Sequence, residues 1–355
     1  MPDDPIVIDA SAGEGGGQTL RSALGLSALL QKPVELSNIR KNRPKPGLMP
    51  QHLTSVQVLA ELCNAKVEGA KIGSTSLKFS PGKIVPAKLA ANIGTAGSCS
   101  LLLHTILPAA MAAETGLRVM GGTDVPFSPP VDYLREALFP ALRQMNAFFE
   151  VNLVQRGYYP KGNGRISFAS KEAKWPLKKI VFLEPSELRY IKFFSHSSGF
   201  PKEVSNSQFL SAKSVLLEKL GWFDFDERVE WNQQSRETTG SGISIFAFFD
   251  STPTVGCSCL ADRKNSSDSV GKSAAESLLA ELAPKAPVDS HLADQLIPFM
   301  ALAKGKSRIF CSSLSSHTIT NIMITEQLLG VKFSVEGEKD KPATISVDGI
   351  AFTPK

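Results

Sequence analysis

"AGSCSLLLHTILPAAMAA" (residues 96–113) is followed three residues later by "LRVMGG" (117–122). The first run reads as an apolar helix, too short and too interrupted to span a bilayer, and the second as a strand. A helix over about 130–147 comes next, then the strands "FEVNLV" and "RISFA". The same order occurs on either side. Upstream, an apolar helix (about 18–31) leads to "PVELSNI", and a helix over about 50–64 leads to "KVEGA" and "SLKFS". Downstream, "LADQLIPFMALA" leads to "SRIFCSS", and a helix over about 317–329 leads to "VKFSVEG" and "ATISVD". Each segment can bury one helical face on its own small sheet, so the pattern predicts an α+β protein built from three tandem repeat units.

The second helices of the units begin near residues 51, 131 and 317. The later interval exceeds the earlier one by about 106 residues, the size of a small domain. Residues 184–280 account for the excess, with the predicted strand "RYIKFFSHS", a helix, three strands and a closing helix. The expected division is therefore a core of repeat units over 1–183 and 281–355, with a small α+β domain inserted over 184–280.

The chain has 355 residues, 42% hydrophobic and 21% charged, with a net charge of +5. These values suit a soluble globular protein, and the mild positive charge suits a polyanionic substrate without requiring one. Five cysteines with no C-x-x-C pair argue against a disulfide framework and a zinc site, and for a reducing compartment. The start "MPDDPIVIDA" lacks the layout of a signal peptide. The expectation is a cytoplasmic protein with no membrane association.

From Gly13 the chain reads "GEGGGQTLRSALGLSALL", a glycine-rich entry to a helix. It matches neither the P-loop nor the dinucleotide fingerprint, yet such an entry leaves backbone N–H groups facing an anion. The alternative is a tight turn that packs a helix onto a strand. Glu14 falls within the segment, and Gln18 and Arg21 share a helix face one turn apart. "NIRKNRPKPG" (38–47) adds Arg40, Lys41, Arg43 and Lys45 with no acid. Arg21, Arg40 and Arg43 suit bidentate grip of a terminal phosphate; a solvated basic loop is the alternative. Each of the five histidines has two readings. His196 reads as structural or exposed, and His104 as a core histidine. His291 sits at a helix start beside Asp294 and Gln295, as a ligand contact or a cap. His52 opens a helix behind the basic loop, as a phosphate donor or a surface residue. His317 follows the candidate caps Ser315 and Ser316. There the helix dipole disfavours imidazolium, which leaves either a neutral nucleophile beside phosphate-binding N–H groups or a bystander.

Taken together, "GEGGGQTLRSALGLSALL", "IRKNRPKPGLMPQHL", "GTAGSCSLLLHTILPA", "GGTDVPFSPPVDYL", "GYYPKGNG", "HLADQLIPFMALA" and "SSHTITNI" resemble the RNA 3′-terminal phosphate cyclase family. The resemblance is close over about 1–180 and 285–335 and loose in the insert. It implies βαβαββ-type units related to the enolpyruvyl transferases. The implied activity is ATP-dependent conversion of an RNA 3′-phosphate to a 2′,3′-cyclic phosphate, through a covalent histidine–AMP and RNA(3′)pp(5′)A. The nucleophile falls on His317. Glu14, His104, Pro130, His291, Leu292, Ala293, Asp294 and Gln295 fall on the ATP side, and Gln18, Arg21, Arg40, Arg43, Gln51 and His52 on the RNA-phosphate side. His104 departs from the family's usual glutamine. No fixed metal site is implied; Mg or Mn would be carried by the ATP phosphates. A homodimer is compatible with the resemblance. All matched residues lie outside the insert, which is therefore expected to be accessory. Two rivals stand beside this reading: a silent cyclase-like protein that binds ribosomal RNA precursors, and an enolpyruvyl transferase.

Overall fold

The computed structural model describes residues 4–13, 15–262 and 264–354 as a mixed α+β protein. Three of its four sheets share one strand order and one pattern of directions. The first sheet contains β1 (Ile6–Asp9), β2 (Val34–Ser37), β3 (Lys66–Glu68) and β4 (Leu77–Ser80), in the order β1-β2-β4-β3. The second contains β5 (Ala87–Asn92), β6 (Thr115–Gly121), β7 (Phe148–Gln155) and β8 (Gly164–Lys171), in the order β5-β6-β8-β7. The third contains β9 (Val181–Phe182), β14 (Lys304–Cys311), β15 (Phe333–Gly337) and β16 (Ala343–Ile350), in the order β9-β14-β16-β15. In each, the first two strands are parallel and the other pairings antiparallel.

A parallel pair needs a crossover, and a helix supplies it. Helix α1 (Gln18–Leu30) joins β1 to β2, and α3 (Cys99–Ala110) joins β5 to β6. The crossover from β9 to β14 is far longer. It carries a fourth sheet and its helices before ending in α8 (Ser290–Leu302). The return helices are α2 (Pro50–Leu62), α4 (Val131–Tyr133) with α5 (Phe139–Gln144), and α9 (Ser316–Leu329). A π-helical turn, Leu134–Leu138, joins α4 to α5; Phe139 N–H reaches back to Leu134 O, and Pro140 next to it has no N–H to give.

Helix starts follow the sequence. Ser98 Oγ accepts from Leu101 N at 3.2 Å, Ser315 Oγ from Thr318 N at 3.1 Å, and Asp289 from His291 N and Leu292 N. Helix α1 lies in the middle, against α3 and α9, and is buried on every face from Thr19 to Leu29. At Gly25 a Cβ would meet Thr105 O at 2.6 Å, so the close approach of α1 to α3 depends on this glycine. Leu24, Leu103, Leu296, Met300 and Ile309 are fully buried in the shared core.

The fourth sheet has the order β11-β10-β12-β13, made from β10 (Leu188–Ser198), β11 (Asp224–Asn232), β12 (Gly240–Phe249) and β13 (Val255–Leu260). Helices α6 (Lys202–Leu220) and α7 (Ser267–Leu282) cover it around a separate cluster that includes Phe193, Phe209, Ile243 and Leu278. Phe194 and Phe246 belong instead to the main core, beside Tyr133. All five cysteines are free thiols. No described helix is long and apolar enough to cross a membrane.

Candidate active site at three helix ends

Asn321, one turn into α9 beyond His317, ties three helices together. Its Oδ1 accepts from Gln18 Nε2 at 2.9 Å and from Ser22 Oγ, both on α1. Its Nδ2 donates to Asp294 O on α8 at 2.7 Å. The N-terminal turns of α1, α8 and α9 therefore face one region. The turn before α1 packs there too, since a Cβ on Gly13 would meet Thr320 Oγ1 at 2.5 Å.

On the α1 side, Gly17 leaves room for two side chains. A Cβ there would meet His52 Nε2 at 2.7 Å and Arg21 Nη1 at 2.8 Å. His52 Nδ1 accepts from Met49 N at 3.2 Å, which leaves Nε2 to carry the proton of the neutral ring. Burial, with the charges of Arg21 and Arg40, lowers the His52 pKa to about 3. Near pH 7 the ring is thus a neutral donor beside a buried guanidinium, a pairing suited to phosphate oxygen.

Gln18 supplies its carboxamide to both Arg21 and Asn321. Arg40 is partly committed to its own loop: Nη1 donates to Lys45 O at 2.7 Å and Gly47 O at 2.9 Å. Burial and the nearby Arg43 lower its pKa. Arg43 is exposed. Gln51 Oε1 accepts from Ser98 N at 2.7 Å, so its carbonyl holds the turn before α3.

On the α8 side, Leu292 and Ala293 are buried in the core, while Asp294 and Gln295 are half-buried. His291 is exposed, edge-on to Tyr133 with ring centroids 6.2 Å apart. Burial raises the Asp294 pKa to about 6 against the opposing pull of His317, His291 and Arg21. Burial, then Arg21, lowers the His104 pKa to about 3. Asp294 Oδ1 is buried here without a hydrogen-bond partner, and the buried His104 ring has only the Gln295 side chain to bond. A buried polar atom is rarely left unpartnered, and a polar ligand would satisfy it. Pro130 stands at the start of α4, whose Tyr133 OH donates to Asp289 at 2.6 Å beneath α8. His317 is exposed in the first turn of α9. Glu14 lies outside the described residues.

Two features were not foreseen from the sequence. Asn321 is four residues after His317, a spacing that puts both on one helix face and could have flagged it. Asp289, the buried cap of α8, also accepts from Gly256 N of β13 at 2.9 Å, so the fourth sheet braces the 291–295 segment. A second link lies nearby. Arg156 Nη1 donates to Asp124 Oδ1 at 3.0 Å and Asp132 Oδ2 at 2.8 Å, and its Nε to Glu230 at 3.0 Å. His196 Nε2 stands 3.3 Å from Asp124, with Nδ1 2.7 Å from Tyr158 OH. Asp124, Asp132 and His196 are close enough together to ligate a metal. The Arg156 guanidinium already bonds both carboxylates, and burial followed by Arg156 lowers the His196 pKa. The group therefore reads as an ion-pair network.

The profile of the family described as RNA 3′-terminal phosphate cyclase matches residues 12–335. A protein from Thermococcus gammatolerans named RNA 3′-terminal phosphate cyclase is 42% identical over 343 residues, covering 96% of this chain and 97% of the relative. One of the same name from Pyrobaculum aerophilum is 42% identical over 349 residues, covering 98% and 99%. A solved EPSP synthase from Acinetobacter baumannii is 12% identical, with 99% of this chain and 66% of that one covered; its TM-score of 0.32 is too low to bear on the fold. The extent and identity of the sequence matches place the chain in the RNA 3′-terminal phosphate cyclase family.

Proposed function

We propose that this protein uses ATP to convert an RNA 3′-terminal phosphate into a 2′,3′-cyclic phosphate, with His317 as the nucleophile. One observation carries the reading. Asn321 ties the helix start bearing His317 to α1, which carries Arg21 beside His52, and to α8, which carries Asp294 with its unpartnered Oδ1 and Gln295 beside His104.

A nitrogen of the His317 imidazole attacks the α-phosphorus of ATP, and the P–O bond to pyrophosphate breaks. The resulting phosphoramidate passes AMP to an oxygen of the RNA 3′-phosphate, freeing the histidine and forming RNA(3′)pp(5′)A. The adjacent ribose O2′ then attacks the 3′-phosphorus, loses its proton and expels AMP. This last step is intramolecular, with an effective molarity of about 10⁵ M or more when well oriented. His104, Asp294, Gln295, His291 and Pro130 hold the nucleotide, and Glu14 joins them by resemblance; Leu292 and Ala293, expected beside them, are fully buried and act by anchoring the start of α8 in the core. Arg21, His52, Gln18 and Arg43 hold the RNA phosphate. Arg40 and Gln51 act mainly by fixing the loop and turn that frame it. A divalent ion, Mg or Mn, would arrive with the ATP phosphates and screen their charge.

The three like-ordered sheets are read as tandem βαβαββ units of enolpyruvyl-transferase type, with 184–280 as the inserted domain. An enolpyruvyl transferase has no use for a nucleophilic histidine, and a silent cyclase-like protein has no need of one. Incubation with α-³²P-ATP should label the protein, and His317→Ala should abolish both label and cyclisation while its circular dichroism is unchanged. Stable labelling of the Ala variant would assign the nucleophile to another histidine.

A further inference from the structure

We propose that Phe127 and Tyr159 form a stacking platform for the single-stranded RNA that precedes the reacting 3′ end. This rests on the cyclase reading above. Phe127 is fully exposed and Tyr159 is 69% exposed. They stand on two loops that share one anchor: Thr123 N and Asp124 N both donate to Gly157 O, at 2.9 and 3.1 Å. Phe127 holds a left-handed backbone with φ +62°, which a bulky side chain rarely adopts. Its loop is held on either side, by Ser128 Oγ to Val125 O at 3.0 Å and Ser100 Oγ to Pro129 O at 2.5 Å. The fold spends strain to keep an apolar ring in water, which needs a reason outside folding.

The second loop connects the platform to the phosphate site. A Cβ on Gly162 would meet Thr95 O at 2.8 Å, so residues 159–163 lie directly on the 95–98 turn. That turn is the one Gln51 holds, and Gln51 is the neighbour of His52. On the other side, Lys161 Nζ reaches Arg236 O at 3.4 Å and Asn163 Nδ2 reaches Glu237 O at 2.9 Å. Lys161, Arg165 and Arg236 are exposed here. The one acid among them, Glu237, is paired with Arg165 at 3.7 Å. Exposed rings beside excess cations suit a single-stranded polyanion, since any base can stack and the cations track its backbone. A neutral apolar protein partner would make no use of the cations. The motif "GYYPKGNG" thereby acquires a role that the three chemical steps do not give it.

The test compares a 3′-phosphorylated oligoribonucleotide with a 3′-phosphorylated dinucleotide, whose single preceding nucleotide leaves little RNA to lie on the platform. Tyr159→Ala and Phe127→Ala should each raise KM for the oligonucleotide about 5- to 150-fold, with the dinucleotide unchanged. Tyr159→Trp should restore the oligonucleotide value. Lys161→Ala should reduce the slope of log affinity against log salt by about 0.7. Should Phe127→Ala fold poorly, Phe127→Gly removes the ring and relieves the backbone. An unchanged KM for the oligonucleotide overturns the proposal, as does an equal loss on both substrates. Filter binding of the oligonucleotide is measured alongside and needs no chemistry. Binding that depends on the two rings in a wild-type protein that ATP does not label would sink the cyclase reading and leave the platform standing. Binding indifferent to the rings, with labelling intact, would do the reverse.

Discussion

Replacing Asp289 by Ala should damage stability and ATP use together. The side chain is fully buried and accepts four hydrogen bonds: His291 N at 3.0 Å, Leu292 N at 2.7 Å, Tyr133 OH at 2.6 Å and Gly256 N at 2.9 Å. Losing the helix cap costs about 1 kcal/mol. Leaving the Tyr133 hydroxyl and the Gly256 amide unpaired in the interior costs about 1–3 kcal/mol each. Part of this is offset, because burial and nearby Glu281 raise the Asp289 pKa and show that its charge is itself uncomfortable there. The expected net loss is about 3–5 kcal/mol in urea unfolding. KM for ATP in self-labelling should rise as the 291–295 segment loosens. Asp289→Asn should lose less, because it keeps an acceptor for the cap but turns an amide towards the Gly256 N–H. A loss under about 1 kcal/mol for the Ala variant would refute the hydrogen-bond accounting. The same geometry revises the expectation that the insert is dispensable: excising about residues 198–264 removes Gly256 and with it the brace on α8.

Three further variants test the site. Asp294, with its pKa raised from 3.8 to about 6, is more easily ionised unfolded than folded. Its contribution to stability is therefore full below about pH 4 and lost as pH rises through about 6. Asp294→Asn should accordingly be more stable than the parent at pH 8, and it should abolish a rise in self-labelling rate centred near pH 6 in the parent; a persistent limb would assign that titration elsewhere. Arg43→Ala should slow AMP transfer to 3′-phosphate RNA about 10- to 150-fold, with self-labelling less affected. Arg40→Ala should instead make residues 38–47 more protease-sensitive, since it removes the bonds to Lys45 O and Gly47 O; parallel collapse of labelling in both variants would move them to the triphosphate.

The helices and most strands were legible because apolar periodicity and caps marked them, and Ser315 and Gly330 bound α9 as their residue types require. Three strands were missed: β1, β5 and β9. Each opens its sheet: β1, "IVID", has a short apolar run but only four residues, β5 is "AKLAAN", and β9 is two residues long. Their pairing with β2, β6 and β14 comes from tertiary packing, which a local window does not see. The π-helical turn was hidden for the same reason. In the site, His317, Arg21 and Asp294 were readable as charged or nucleophilic groups at helix starts. Asn321 was not, because its i,i+4 spacing from His317 marks a shared helix face but not the contacts to α1 and α8 that give the amide its role. That Arg40 and Gln51 also hold backbone atoms of the 38–47 loop and of the turn before α3 has no signal in the sequence.

The Arg156 network has a meaning apart from strength. A guanidinium buried between Asp124 and Asp132, with Glu230 reaching in from the fourth sheet, adds little net cohesion because removing its charges from water is expensive. What it does is make wrong arrangements costly. A tilt of the fourth sheet that kept the Phe194 and Phe246 contacts nearly unchanged would still separate His196 from Asp124 in a dry interior and pull half-exposed Glu230 away from Arg156. Apolar contacts tolerate sliding; this set of directed polar contacts does not. The orientation of residues 188–260 is thereby tied to Asp124 and Asp132, the residues on either side of the segment that carries Pro130.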